Sequence, residues 1–271
     1  MRLIHLADLH FGRVEAGAVS ALLDAVHVLH PDLIVVSGDL THRALRSQFR
    51  AAAQFMRQLP VTPICVPGNH DVPIWNPLAR LLRPFAGYRR WIARRMEAFF
   101  EDELIAIAAL NTAHGWTCTG GRVREAQCNW LEQRFAEARA PLRMIVSHHP
   151  LDLPRDDPHR VPPMARRALQ YWVEGLEVDL FLAGHLHRSR TALGPLRTRS
   201  SRHAVFNQAG TAISDQHAGR GTAFTSLALS ADTIEVQHWE RPPGGTRFAP
   251  QEPLAFARGE QGWSVRSQPA A

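Results

Sequence analysis

The chain has 271 residues, 45% hydrophobic and 21% charged. That is enough for one large core, and the composition argues against wholesale disorder. The net charge is +6, and all 31 basic residues are arginine. Such a balance fits an anionic partner and an arginine-favouring codon usage equally well, so charge alone selects no function. The odd number of cysteines, Cys65, Cys118 and Cys128, without metal-finger spacing, argues against a disulfide framework. No apolar run approaches the roughly 20 residues of a membrane helix. The opening MRLIHLADLH lacks the apolar stretch of a signal peptide, so a cytoplasmic location is expected.

In chain order, RLIHLAD reads as a strand and residues 17–30 as a helix. DLIVVSGD is a nearly continuous apolar strand, the pattern of a strand covered on both faces. A helix is expected at 44–59, with Phe49, Ala52, Ala53 and Met56 at helical spacing, then a strand in VTPICVPG. Residues 77–100 read as helical, ELIAIAALN as a strand, 125–138 as a helix and LRMIVSHHP as a strand. A helix near 163–174 precedes VDLFLAGH. Beyond 190, HAVFNQAGTA, TAFTSLALS and DTIEVQHWE read as strands. Trp116 and Trp130 are expected in the core. The pattern predicts one α/β domain over 1–240, sheet packed against sheet with helices outside. Residues 241–271, rich in Pro, Gly and Arg, read as a loosely ordered C-terminal tail.

Polar residues collect where the strands end. The first strand runs into Asp8 and His10, the second into Gly38-Asp39, the third into Gly68-Asn69-His70-Asp71. Later strands run into His148-His149 and Gly184-His185-Leu186-His187. Each piece alone is an ordinary turn or a surface histidine. Together they form an ordered series of imidazole, carboxylate and amide groups, and carboxyl ends of strands in open α/β sheets face one crevice. Such donors suit Mn, Fe, Zn or Ni. Without thiolates they do not make a structural zinc site. Seven or eight donors exceed the needs of one ion and match two ions ~3.5–4 Å apart, with Asp39 as the candidate bridge.

The order Asp-x-His, Gly-Asp, Gly-Asn-His-Asp, His-His and Gly-His-x-His resembles the calcineurin-like metallophosphoesterase superfamily, from residue 4 to about 187. GDLT and PGNHD are similar to its cyclic-nucleotide phosphodiesterase branch. The resemblance implies a four-layer sandwich of two mixed β-sheets flanked by α-helices, and a metal-dependent phosphoric ester hydrolase with two divalent ions of Mn, Fe or Zn type. Asp8, His10, Asp39 and His187 would hold one ion, and Asp39, Asn69, His148 and His185 the other. His149 is the alternative to His148. His70 would be the catalytic histidine, with Asp71 accepting its second N–H.

The expected substrate is a small phosphodiester, such as a 3′,5′-cyclic nucleotide, cleaved by a metal-bridging hydroxide. One alternative is a lipid-linked pyrophosphate hydrolase at the membrane surface, suited to the arginine-rich 77–100 segment. A nuclease ranks third, since the long extra domains of the superfamily's repair nucleases are missing. An alternative of another class is a non-catalytic, metal-stabilised binding scaffold.

Overall fold

The structure, a computed structural model, describes residues 1–197, 200–215 and 221–266. The first half holds β1 (Arg2–Leu6), α1 (Ala18–Leu29), β2 (Leu33–Ser37), α2 (Arg46–Met56), β3 (Ile64–Val66), α3 (Pro77–Leu82), α4 (Ala86–Trp91), β4 (Ala98–Glu101) and β5 (Ile105–Leu110). It continues with α5 (Glu125–Glu137), β6 (Leu142–Ser147), α6 (Pro163–Glu174), β7 (Leu180–Ala183), β8 (Arg190–Gly194) and β9 (Ala204–Gln208). The chain then runs through β10 (Thr222–Leu229), β11 (Thr233–Arg241), β12 (Ala249–Pro250), β13 (Leu254–Gly259) and β14 (Gly262–Val265).

Two mixed sheets result. One has the order β14-β13-β11-β10-β1-β2-β3, with β12 added on β11; the other has β4-β5-β6-β7-β9-β8. β1, β2 and β3 are parallel, as are β5, β6, β7 and β9. Strand alternation sorts the side chains. Leu3, Val35 and Val66 meet Ile107, Met144 and Leu182 of the other sheet. Ile4, Leu6 and Ile34 turn to Leu22 of α1 and to Phe49 and Phe55 of α2. On the far side Ala108 and Ile145 pack against Leu131 of α5 and Trp172 of α6. The four layers expected from the alternation of elements are therefore present. Every residue of β2 is buried, which explains its unbroken apolar run. Each of its large apolar side chains contributes about 1.5–3 kcal/mol through burial.

Three expectations fail. Residues 77–100 are not one helical stretch: α3 and α4 are short, Pro84 lies between them, and β4 follows. The segment after 241 is not loose over its described part, because β13 pairs with β11 and β14 with β13. The tail therefore extends a sheet edge whose backbone groups need partners. Residues 267–271 lie outside the described residues. Trp116 is not core but 75% exposed, whereas Trp130 packs against the α5–α6 side. Among the described residues, no helix is long and apolar enough to cross a membrane.

Candidate metal centre

The loops after β1, β2, β3, β6 and β7 meet at one end of the sandwich. They carry Asp8 and His10, Asp39, Asn69 and His70, His148, and His185 and His187 respectively. Asp8 (φ 53°), His10 (46°), Asp39 (52°), His185 (75°) and His187 (54°) all sit in the left-handed region. Each costs about 1–3 kcal/mol of local strain, so the surrounding fold must impose it. Gly38, at φ 90°, precedes Asp39, and a Cβ there would lie 2.7 Å from His148 Nδ1. A Cβ on Gly68 would collide with the Asp39 carboxylate. These two glycines let the strand ends approach that closely.

The side chains converge. His10 Nε2 lies 3.1 Å from His187 Nε2. His187 Nε2 is 3.4 Å from Asp8 Oδ1, and His10 Nε2 is 3.7 Å from Asp39 Oδ2. One donor atom from each of Asp8, His10, Asp39 and His187 falls within 4.8 Å of the others. On the other side of Asp39, His148 Nε2 stands 3.4 Å from the same Oδ2 and 3.0 Å from Asn69 Oδ1. His148, His149 and His185 form a second cluster, and His10, His42 and His70 a third. Asp39 Oδ1 is occupied by the His70 amide at 2.8 Å. Oδ2, buried and without a well-formed hydrogen bond, is left between the two clusters.

Orientation is set from outside. His148 Nδ1 lies 2.9 Å from the Ser37 carbonyl, which only accepts, so this nitrogen carries a proton and, in the neutral ring, Nε2 carries the lone pair. Asn69 Nδ2 donates to the Cys118 carbonyl at 2.9 Å, turning Oδ1 toward His148. The His185 amide donates to Asp8 Oδ2 at 2.9 Å, and Thr211 Oγ1 donates to the Asp8 carbonyl at 2.7 Å.

Burial alone would raise both aspartates. The imidazoles around them, His187 at Asp8 and His148 at Asp39, outweigh it and hold both carboxyls below their ordinary range. Burial depresses His10 to about 3 and His185 to about 4. At His148 and His187 burial works downward, but Asp39 and Asp8 outweigh it and raise them. At neutral pH the pocket thus gathers carboxylates, a His148 raised to about 9 by Asp39, and the neutral imidazoles of His10 and His185, with little water to separate them. Two buried Nε2 atoms 3.1 Å apart and an undonated carboxylate oxygen are the arrangement that divalent cations satisfy. The donor set fits such ions.

One residue behaves otherwise than the sequence suggested. Asp71 does not touch the His70 ring. It accepts the backbone amides of Leu40, Thr41 and Gly68 at 3.1, 2.9 and 2.9 Å, and the Thr41 hydroxyl at 3.0 Å. The partner of His70 Nδ1 is the His42 carbonyl at 2.8 Å. A carboxylate three residues from Gly68 in a tight turn reaches amides more readily than a neighbouring ring. The Arg43 guanidinium, next to His42, lies over the Trp75 ring at 5.5 Å.

Sequence reasoning passed over His42, whose ring stacks on His70 with centroids 5.6 Å apart. It also missed Thr112, whose Oγ1 lies 2.8 Å from His149 Nδ1. The His42-Arg43 dipeptide was visible after GDLT; nothing marks Thr112 locally. His149 thus turns toward Thr112, while His148 faces Asp39 and Asn69.

The calcineurin-like phosphoesterase family model matches residues 1–189. A probable cyclic nucleotide phosphodiesterase of Synechococcus sp. is 23% identical over 205 residues, covering 70% of this chain and 74% of that protein. A probable glycerophosphodiester phosphodiesterase of Arcobacter nitrofigilis is 27% identical over 169 residues, 60% of this chain and 59% of that one. The purple acid phosphatase of yellow lupin (Lupinus luteus) seeds superposes with a TM-score of 0.74 at 12% identity. It covers 96% of this chain and 54% of its own, a likeness of fold. The chain thus spans about three quarters of the first relative and under two thirds of the other two.

Proposed function

Because this chain belongs to the calcineurin-like phosphoesterase family, we propose that it hydrolyses a phosphodiester at a dinuclear metal centre built on Asp39. The observation that carries this reading is the single oxygen, Asp39 Oδ2, standing between His10 at 3.7 Å and His148 at 3.4 Å. In this reading Asp8, His10, Asp39 and His187 would hold one cation, and Asp39, Asn69, His148 and His185 would hold the other. Imidazole, carboxylate and amide donors suit manganese, iron or zinc. When bound, the two cations supply Lewis-acid neutralisation of phosphate charge and a water acidified to a nucleophile near neutral pH.

The protein's own part is positioning and proton transfer. Asp71 fixes the turn that presents Asn69 and His70 by holding the Gly68, Leu40 and Thr41 amides. The His42 carbonyl keeps the proton on His70 Nδ1. A His70 protonated on both nitrogens would donate from Nε2 to a phosphoryl or leaving-group oxygen. The buried walls exclude water, which strengthens every charge interaction inside.

The relatives' names point to cyclic nucleotides and to glycerophosphodiesters, and we take a small phosphodiester of that kind as substrate, met in the cytoplasm. Hydrolysis of bis-p-nitrophenyl phosphate, 3′,5′-cyclic nucleotides, glycerophosphodiesters and a lipid-linked pyrophosphate, with manganese and with chelator, tests it. Manganese-dependent turnover of at least one diester is expected. No turnover with any metal supports a binding scaffold instead.

A further inference from the structure

Of the large hydrophobic side chains exposed to solvent, five gather on two neighbouring loops. Trp75 (72% exposed), Leu78 (67%), Leu81 (53%) and Leu82 (67%) lie on and before α3, and Trp116 (75%) lies on the loop after β5. No residue of α3 is buried. A single side chain clasps the two loops together. Arg80 donates from Nε to the Gly115 carbonyl at 2.9 Å, from one terminal nitrogen to the Pro73 carbonyl at 3.2 Å, and from the other to the Thr117 carbonyl. The apolar face is therefore held open rather than folded over.

This face adjoins the site. Trp75 lies under the Arg43 guanidinium, and His42 beside it stacks on His70. Cys118, two residues past Trp116, holds the Asn69 amide through its carbonyl at 2.9 Å. The charge is one-sided as well. Arg43 over Trp75 and Arg83 at the end of α3 are exposed, and residues 72–96 contain no acid. A symmetric contact between two copies would set this patch against itself and bring arginine to arginine, which is repulsive. A surface of anionic headgroups over acyl chains meets both demands. Tryptophan and leucine enter the headgroup boundary, and guanidinium groups pair with phosphates above it.

We propose that the α3 face docks on an anionic lipid surface and sets the mouth of the site at headgroup level. Docking needs no metal, so its test stands apart from that of hydrolysis. Flotation of the full chain is measured with vesicles of phosphatidylcholine and of an equimolar phosphatidylcholine–phosphatidylglycerol mixture, in chelator. The protein should float with the anionic vesicles and not with the neutral ones.

Leu78→Ser/Leu82→Ser and, separately, Trp75→Ser/Trp116→Ser should weaken this partition roughly tenfold or more, since each removes apolar surface that lipid would cover. Both pairs should keep the wild-type melting temperature and turnover of a soluble diester, because these side chains are exposed. Failure of the wild type to float, or flotation of both variants like wild type, overturns the proposal. A stable dimer by sedimentation that Leu78→Ser/Leu82→Ser dissociates would assign the face to a second copy and overturn it too.

Discussion

The His70 ring hangs from the backbone of His42, its Nδ1 2.8 Å from the His42 carbonyl, and the two imidazoles stack at 5.6 Å. The carbonyl can only accept, so the tautomer of His70 is fixed by main chain rather than by a carboxylate. His70→Ala should lower kcat by about 10²–10⁴, the usual contribution of a positioned proton donor. Metal content, measured by plasma mass spectrometry, should be unchanged. Unchanged turnover would remove His70 from the chemistry.

Asp71 is a brace. Asp71→Ala leaves the amides of Leu40, Thr41 and Gly68 without their acceptor, at about 1–3 kcal/mol for each buried donor left unpaired. Thermal unfolding should show a melting temperature several degrees lower, at about 2–4 °C per kcal/mol for a chain of this size. Metal affinity should fall with it, because the same turn carries Asn69 and His70. A variant with wild-type stability would contradict this role.

The approach of His148 depends on Gly38. Its φ is 90° and a Cβ would lie 2.7 Å from His148 Nδ1. Gly38→Ala should displace His148 from Asp39 and cost one of the two bound metals, with turnover reduced at least as much as in His70→Ala. Metal stoichiometry after dialysis checks it; a full complement would contradict it.

His5 is fully buried between the sheets, 2.8 Å from Ser37 Oγ and 2.9 Å from Asn207 Nδ2. Burial pushes it down from 6.5 to about 3. Below pH 6.5 the unfolded chain binds a proton that the folded chain refuses. Stability is therefore lost as pH falls from 6.5 toward 3, by up to about 1.4 kcal/mol per pH unit from this group. Melting temperatures of the metal-free protein between pH 7 and pH 4 should decline less steeply in His5→Gln than in wild type. Parallel declines would contradict this.

Much of the site was legible because its chemistry sits at strand ends, where short motifs such as GNHD and GHLH survive as contiguous text. The four-layer arrangement followed from elements whose apolar pattern matched their burial, β2 above all. What stayed hidden depends on pairings made in space. The place of β13 beside β11 and the hold of Thr112 on His149 join residues whose neighbours in sequence say nothing of them. Trp116 misled because an indole is ordinarily buried, whereas here Arg80 holds its loop outward through the Gly115 and Thr117 carbonyls. The Asp71 assignment failed because adjacent polar residues in a tight turn bond backbone before each other.

The central claim is that Asp39 joins two cations. Anomalous diffraction from crystals soaked in manganese tests it most directly. Two peaks about 3.5–4 Å apart are predicted, one bounded by Asp8, His10, Asp39 and His187, the other by Asp39, Asn69, His148 and His185. A chain that turns over a diester while showing no peak, or a single peak remote from Asp39, would contradict the account.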